Sequence, residues 1–148
     1  MTVLVDTGVL YADHDTDATR HDIASEALRA VYDGELGQPY LSDYIFDEAI
    51  TLTRTRTGSH SAAIRLSERL RGTERYPDVY ELLRVSAAGF TDAVSEFARY
   101  DDQELSFTDV TSVVLVEQYD LDGILSFDDD FDGIIHRFDP TDLSSTHG

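Results

Sequence analysis

Apolar positions along the chain follow two rhythms. Thr2 to Val5 is a short, β-branched run that stops at Asp6, the pattern of a buried strand. Ile23, Ala27, Leu28 and Val31 keep helical spacing, and Gly34 and Gly37 end that segment. Pro39 to Leu41 reads as a second short strand. Ser42 or Asp43 then caps a helix carrying Ile45, Ala49 and Leu52, closed by Gly58. The next helix carries Ala62, Ala63, Leu66 and Leu70 and stops near Gly72. Val79 to Val85 reads as a third strand, with helix as the alternative, and Thr91 or Asp92 opens a helix through Ala93, Phe97 and Tyr100. Ser106-Phe107-Thr108-Asp109 has the form of a capping box ahead of Val113, Val114 and Val116. Gly123 to Phe127 and Ile134 to Phe138 read as the last strands. Asp13-x-Asp15-x-Asp17 reads as a solvated loop.

Strands separated by helical segments need crossover connections. The expected architecture is therefore α/β, with a mostly parallel sheet and helices on both faces. With no repeat and no linker, one domain over residues 1–140 is expected, followed by a tail at 141–148. In such sheets ligands sit beyond the carboxyl ends of the strands.

Composition narrows the chemistry. The chain has 148 residues and no cysteine, which excludes disulfides, thiolate metal sites and a thiol nucleophile. The first residues lack a basic region and meet an acid at Asp6, and no apolar run spans a bilayer. A soluble, cytoplasmic protein without membrane contact is expected. The formal net charge is -19, from 30 acids against 11 bases, and every base is arginine. So much like charge repels itself in ordinary salt. In molar salt the Debye length falls to about 3 Å and the repulsion is screened. The composition resembles that of haloarchaeal proteins, and most of the acids are expected to be solvent dressing.

A few acids stand apart. Asp6 directly follows the first strand, Asp128 follows the strand at Gly123 to Phe127, and Asp109 lies in the first turn of a helix. Glu48 sits at the edge of a buried helical stripe, where a bland glutamate is unexpected. Each has an ordinary alternative. Asp6 could cap the next helix or turn, Asp109 could be only the capping-box acid, Glu48 could pair with Arg54, Arg56 or another nearby arginine, and Asp128 could be one turn acid in an acidic run. Converging carboxylates stay ionised only beside a cation. Oxygen ligands without a His or Cys cluster favour Mg²⁺ or Mn²⁺, which can activate water and stabilise the oxyanions of phosphodiester cleavage. The histidines 14, 21, 60, 136 and 147 have no metal-ligand spacing and read as incidental. Tyr44, Phe46, Phe107 and Phe127 read as core.

Four segments together carry a resemblance: Val3-Leu4-Val5-Asp6-Thr7-Gly8-Val9-Leu10, Ser42-Asp43-Tyr44-Ile45-Phe46-Asp47-Glu48-Ala49, Leu105-Ser106-Phe107-Thr108-Asp109-Val110 and Ile124-Leu125-Ser126-Phe127-Asp128-Asp129-Asp130-Phe131. In order and spacing the chain resembles PIN domains, in particular toxins of the VapC type from VapBC toxin–antitoxin pairs. The resemblance implies four or five parallel strands and cleavage of single-stranded RNA dependent on Mg²⁺ or Mn²⁺. It makes Asp6, Glu48, Asp109 and Asp128 the acidic quartet, with Asp6 and Asp109 as the firmest metal ligands. Thr7, Ser126 and Asp130 are supporting residues, Ser126 standing where many members carry threonine. A homodimer and a cognate antitoxin that plugs the acidic pocket are further implications.

Rival motifs remain. A PIN-like scaffold that binds RNA or protein without cutting is one alternative. Val5-Asp6-Thr7-Gly8-Val9 looks like an aspartic-protease loop, but that chemistry needs a second such loop or a dimer on an all-β fold. Asp128 to Asp139 nearly fits a calcium loop, although Pro140 opposes an exiting helix there. RNA is a polyanion like the chain itself, so binding leans on metal and on local arginines. Arg54 and Arg56 are the expected RNA-path residues.

Overall fold

The computed structural model describes residues 1–73 and 75–147, and the side chains within this range except those of 144–147; His147 and Gly148 thus lie outside the described side chains and residues respectively. Five parallel strands form one sheet in the order β3-β2-β1-β4-β5. They are β1 (Thr2–Val5), β2 (Gln38–Ser42), β3 (Glu81–Leu83), β4 (Gly123–Leu125) and β5 (Arg137–Phe138). Seven helices flank them among the described residues: α1 (Thr7–His14), α2 (His21–Tyr32), α3 (Asp43–Thr57), α4 (His60–Arg71), α5 (Ala87–Arg99), α6 (Phe107–Gln118) and α7 (Pro140–His147). None is long and apolar enough to cross a membrane.

β1 lies at the centre, pairing with β2 on one side and β4 on the other. Strand order runs outward in both directions from this pair, so the crevice at the carboxyl ends of β1 and β4 is the switch point of the sheet. Val3, Leu4 and Val5 are fully buried, as are Ile124 and Leu125, because both central strands are covered on both faces. The outer strands are shorter than the apolar runs that mark them. β3 keeps only Glu81–Leu83 of the run from Val79 to Val85, and β5 only Arg137–Phe138, since each has a neighbour on one side alone.

Helix ends follow the side chains that satisfy them. Ser42, Ser59, Ser86 and Ser106 each accept a backbone N–H at the start of α3, α4, α5 and α6. Gly72 ends α4 in the left-handed region (φ 65°). A Cβ there would lie 2.5 Å from the Asp78 backbone, so only glycine fits.

Three expectations need correction. The run from Asp13 to Asp17 is a loop only in part: Asp15 and Asp17 lie between α1 and α2, but Asp13 lies in α1, accepts from Ser25 of α2 and pairs with Arg69 of α4 at 3.0 Å. α5 starts after Ser86 rather than at Thr91 or Asp92. Residues 140–147 are helix, not tail, and α7 packs on α2. Pro140 opens that helix instead of opposing it, because the first helical position needs no N–H donor. Two histidines are also structural. His14 donates to the Ala62 carbonyl at 2.9 Å and His21 to the Ala12 carbonyl at 2.8 Å, each tying two helices together.

Candidate active site

Beyond the ends of β1 and β4 lies a cavity of about 650 Å³. Asp6, Glu48, Asp109 and Asp128 all line it, together with Thr7, Ser106, Ser126 and Asp129. The fold thus brings together four acids that stand far apart in the chain.

Asp6 ends β1, where its backbone N–H still bonds the Leu125 carbonyl (3.0 Å). Its side chain is only 7% exposed, caps α1 by accepting the Thr7 N–H at 2.9 Å, and accepts the Ser126 hydroxyl at 2.6 Å. Burial pushes its carboxyl up to about 7, the hydrogen bonds from Ser126 and Thr7 opposing and the charges of Asp109 and Glu48 adding to the rise. The alternative that Asp6 merely caps a helix is half of the picture: it caps α1 and lines the cavity as well.

Asp109 stands in the capping box of α6. Its N–H donates to the Ser106 hydroxyl and its carboxylate accepts the Ser106 N–H, both at 3.0 Å. Desolvation raises its pKa against these hydrogen bonds, and Asp128 and Glu48 raise it further. The side chain of Glu48, half-buried on α3, accepts no hydrogen bond and joins no ion pair among the described residues, so the alternative of a pairing with Arg54, Arg56 or another nearby arginine is not met there. Asp128 follows β4, accepts the Asp130 N–H at 2.9 Å and donates its own N–H to the Ser126 hydroxyl at 3.0 Å. Ser126, fully buried, therefore ties Asp6 to the Asp128 backbone.

The supporting residues divide. Thr7 is 4% exposed, and its Oγ1 has no partner among the described residues. Asp130 is outside the cavity lining, although its carboxylate and those of Asp128 and Asp129 offer oxygens within 4.8 Å of one another. Arg54 and Arg56 part company, because residues two apart on a helix point to different sides. Arg54 borders a hollow with His60 and Ile64, whereas Arg56 lies in one adjoining the acids.

Sequence reasoning missed Arg20, while Phe127, read as core, packs against the core and also reaches the cavity. Both line the cavity, with the guanidinium 4.6 Å from the ring centroid. Nothing local marks Arg20, since its partner is distant in the chain.

In type the donor set suits a hard divalent cation, although among the described residues only Asp128, Asp129 and Asp130 offer three carboxylate oxygens within 4.8 Å of one another. The set is all oxygen, one member is nearly buried, and no arginine forms an ion pair with any of the four acids among the described residues. The calcium-loop alternative fares worse. Asp132 and Asp139, which would be its fifth and twelfth positions, are both engaged by Arg137. The parallel α/β sheet likewise removes the aspartic-protease alternative.

No family model matches the chain. A curated relative, Ribonuclease VapC26 of Mycobacterium tuberculosis, is 28% identical over 126 residues, which are 85% of this chain and 86% of the relative. Among solved structures, Mycobacterium tuberculosis VapC20, a sarcin–ricin-loop-cleaving toxin, matches with a TM-score of 0.75 at 25% identity, over 90% of this chain and 96% of that one. FitAcB from Neisseria gonorrhoeae matches with a TM-score of 0.59 at 20% identity, over 95% and 98% of the two chains; this second likeness bears on the fold alone.

Proposed function

We propose, from the premise that this chain is a VapC-type protein of the PIN-domain family, that it is a divalent-metal-dependent endoribonuclease acting on single-stranded RNA, the toxin of a toxin–antitoxin pair. One observation carries the catalytic reading. Asp6, Glu48, Asp109 and Asp128 reach a single cavity from four separate elements, and no ion-paired arginine neutralises them. A fold bears that repulsion at a cost in stability unless protons or a cation relieve it.

Asp6 and Asp109 would be the principal ligands of Mg²⁺ or Mn²⁺, with Glu48 and Asp128 completing the set. Such an ion supplies Lewis acidity to a phosphoryl oxygen and acidifies a water. The chain's own groups do the rest. The Ser126 hydroxyl and the Thr7 N–H fix both oxygens of Asp6. Ser106 holds Asp109 from two sides, its N–H donating to one carboxylate oxygen and its hydroxyl accepting the Asp109 N–H. Glu48, whose side chain is free of hydrogen bonds among the described residues, would bind the ion or orient the attacking water.

The same reading gives the protein RNA as substrate, an antitoxin that covers the acidic cavity, a homodimeric state and a cytoplasmic location. It is tested with a mixed RNA pool in molar KCl, with Mg²⁺ or Mn²⁺ and with chelator. Cleavage should appear with metal and vanish with chelator. Cleavage that persists in chelator would sink the metal-dependent reading. Metal-independent RNA binding by folded protein, without turnover, would favour the binding-only alternative.

A further inference from the structure

Beside the acidic cavity is a second hollow of about 470 Å³. The two share Gly8, Arg20, Leu52 and Phe127, so they form one continuous trough. The outer part adds Tyr11, Asp17 and Arg56.

Its cations are Arg20 and Arg56. Carboxylates pair with only three of the 11 arginines among the described residues. These are Arg69, Arg99 and Arg137. Arg20 and Arg56 form no ion pair among the described residues and lie over rings instead, Arg20 at 4.6 Å from the Phe127 centroid and Arg56 at 5.8 Å from that of Tyr11. The Tyr11 ring is itself held, its hydroxyl donating to Asp15 at 2.6 Å. A guanidinium resting on a ring keeps its N–H edge available for a phosphate fork. A fixed ring and a guanidinium plane also offer faces on which an unpaired base stacks.

We propose that this outer hollow is the binding track for the single-stranded RNA next to the scissile phosphate, with Arg20 nearest the acids and Arg56 with Tyr11 one step farther out. Phosphates meet the guanidinium edges, and an unstacked base lies on Tyr11. A duplex keeps its bases stacked inside and offers these rings nothing, so the track selects single strands. The proposal rests on the nuclease reading and names its substrate path. It replaces the Arg54–Arg56 pair expected from sequence with Arg20 and Arg56.

The test separates binding from cleavage. A short, labelled single-stranded RNA of mixed sequence is titrated with protein by fluorescence anisotropy across a KCl series, with Ca²⁺ in place of Mg²⁺ and Mn²⁺. Cleavage of the same RNA is then followed with Mg²⁺ or Mn²⁺. Arg56→Ala should weaken binding and raise KM about tenfold, with the salt slope of the affinity falling by about one. Its kcat should stay within about twofold of wild type. Tyr11→Leu should also weaken binding, and Arg54→Ala should change nothing. Thermal midpoints close to wild type certify the folds. Wild-type binding and KM in both Arg56→Ala and Tyr11→Leu would overturn the track and leave the nuclease standing. Binding that depends on Arg56, in a protein that cuts nothing, would keep the track and sink the nuclease. No binding of single strands, or equal binding of the matching duplex, would overturn the track.

Discussion

The carboxyl of Asp6 accepts two hydrogen bonds and yet titrates near 7, because burial outweighs them and two neighbouring acids add to the rise. With its folded pKa raised above the ordinary 3.8, the group favours the fold in its neutral form. Its contribution is complete below that ordinary value and is lost as pH rises through about 7. A tenfold change in proton affinity between the folded and unfolded chains is worth about 1.4 kcal/mol. In chelator at fixed salt, the thermal midpoint should therefore fall between pH 4 and 7 by a component that Asp6→Asn removes; identical pH curves for the two proteins would contradict this. Added Mg²⁺ or Mn²⁺ should restore the wild type most strongly above pH 7, where the ion no longer competes with a proton. Ser126 works the other way on the same group, since its hydroxyl stabilises the carboxylate. Ser126→Ala should move the acidic limb of the pH–rate profile to higher pH, and an unmoved or lowered limb would show that Asp6 does not set it. Asp6, Asp109 and Asp128 were legible in sequence because strand ends and a capping box mark them. Glu48 was legible as an acid beside an apolar stripe. Arg20 was hidden because what places it is a ring beyond β4.

At the scale of elements, periodicity found what burial dictates and missed what context decides. The central strands and α3, α4 and α6 carry strong apolar patterns with a serine at the start, and they appear where expected. α1 escaped notice because it is short and runs into the acids at 13, 15 and 17, although Val9, Leu10 and Ala12 bury one side of it. α5 begins early because Ser86 caps it through the Gly89 N–H, with a glycine in the first turn obscuring the start. The position of β4, and so of Asp128, depends on a close approach. A Cβ on Gly123 would lie 2.4 Å from the carbonyl oxygen of His136, the residue just before β5. Gly123→Ala should cost about 1–3 kcal/mol of stability by overpacking, read from denaturant midpoints. It should also lower activity, as β5 and the Ser126–Asp128 turn shift. A neutral effect on both would mean that the β4–β5 contact is looser than described.

For the molecule as a whole, the net charge of -19 and the absence of lysine set the conditions under which it folds and acts. Self-repulsion should make stability climb with KCl toward molar concentrations, where screening reaches about 3 Å. A thermal midpoint that is flat or falling from low salt upward would count against a halophilic protein. The same salt weakens general phosphate attraction, so under the proposed reading RNA would be held by the acidic cavity with its ion and by the arginine trough. The central claim is that four carboxylates act as one catalytic site. The most direct measurement is the cleavage rate, under saturating metal in molar KCl, of Asp6→Asn, Glu48→Gln, Asp109→Asn and Asp128→Asn, with Asp130→Asn as the neighbour that does not line the cavity. Expected is a loss of more than about 100-fold in each of the four, with folds intact, and a much smaller loss in Asp130→Asn. Near-wild-type cleavage by the four, or a loss confined to Asp130→Asn, would contradict the claim.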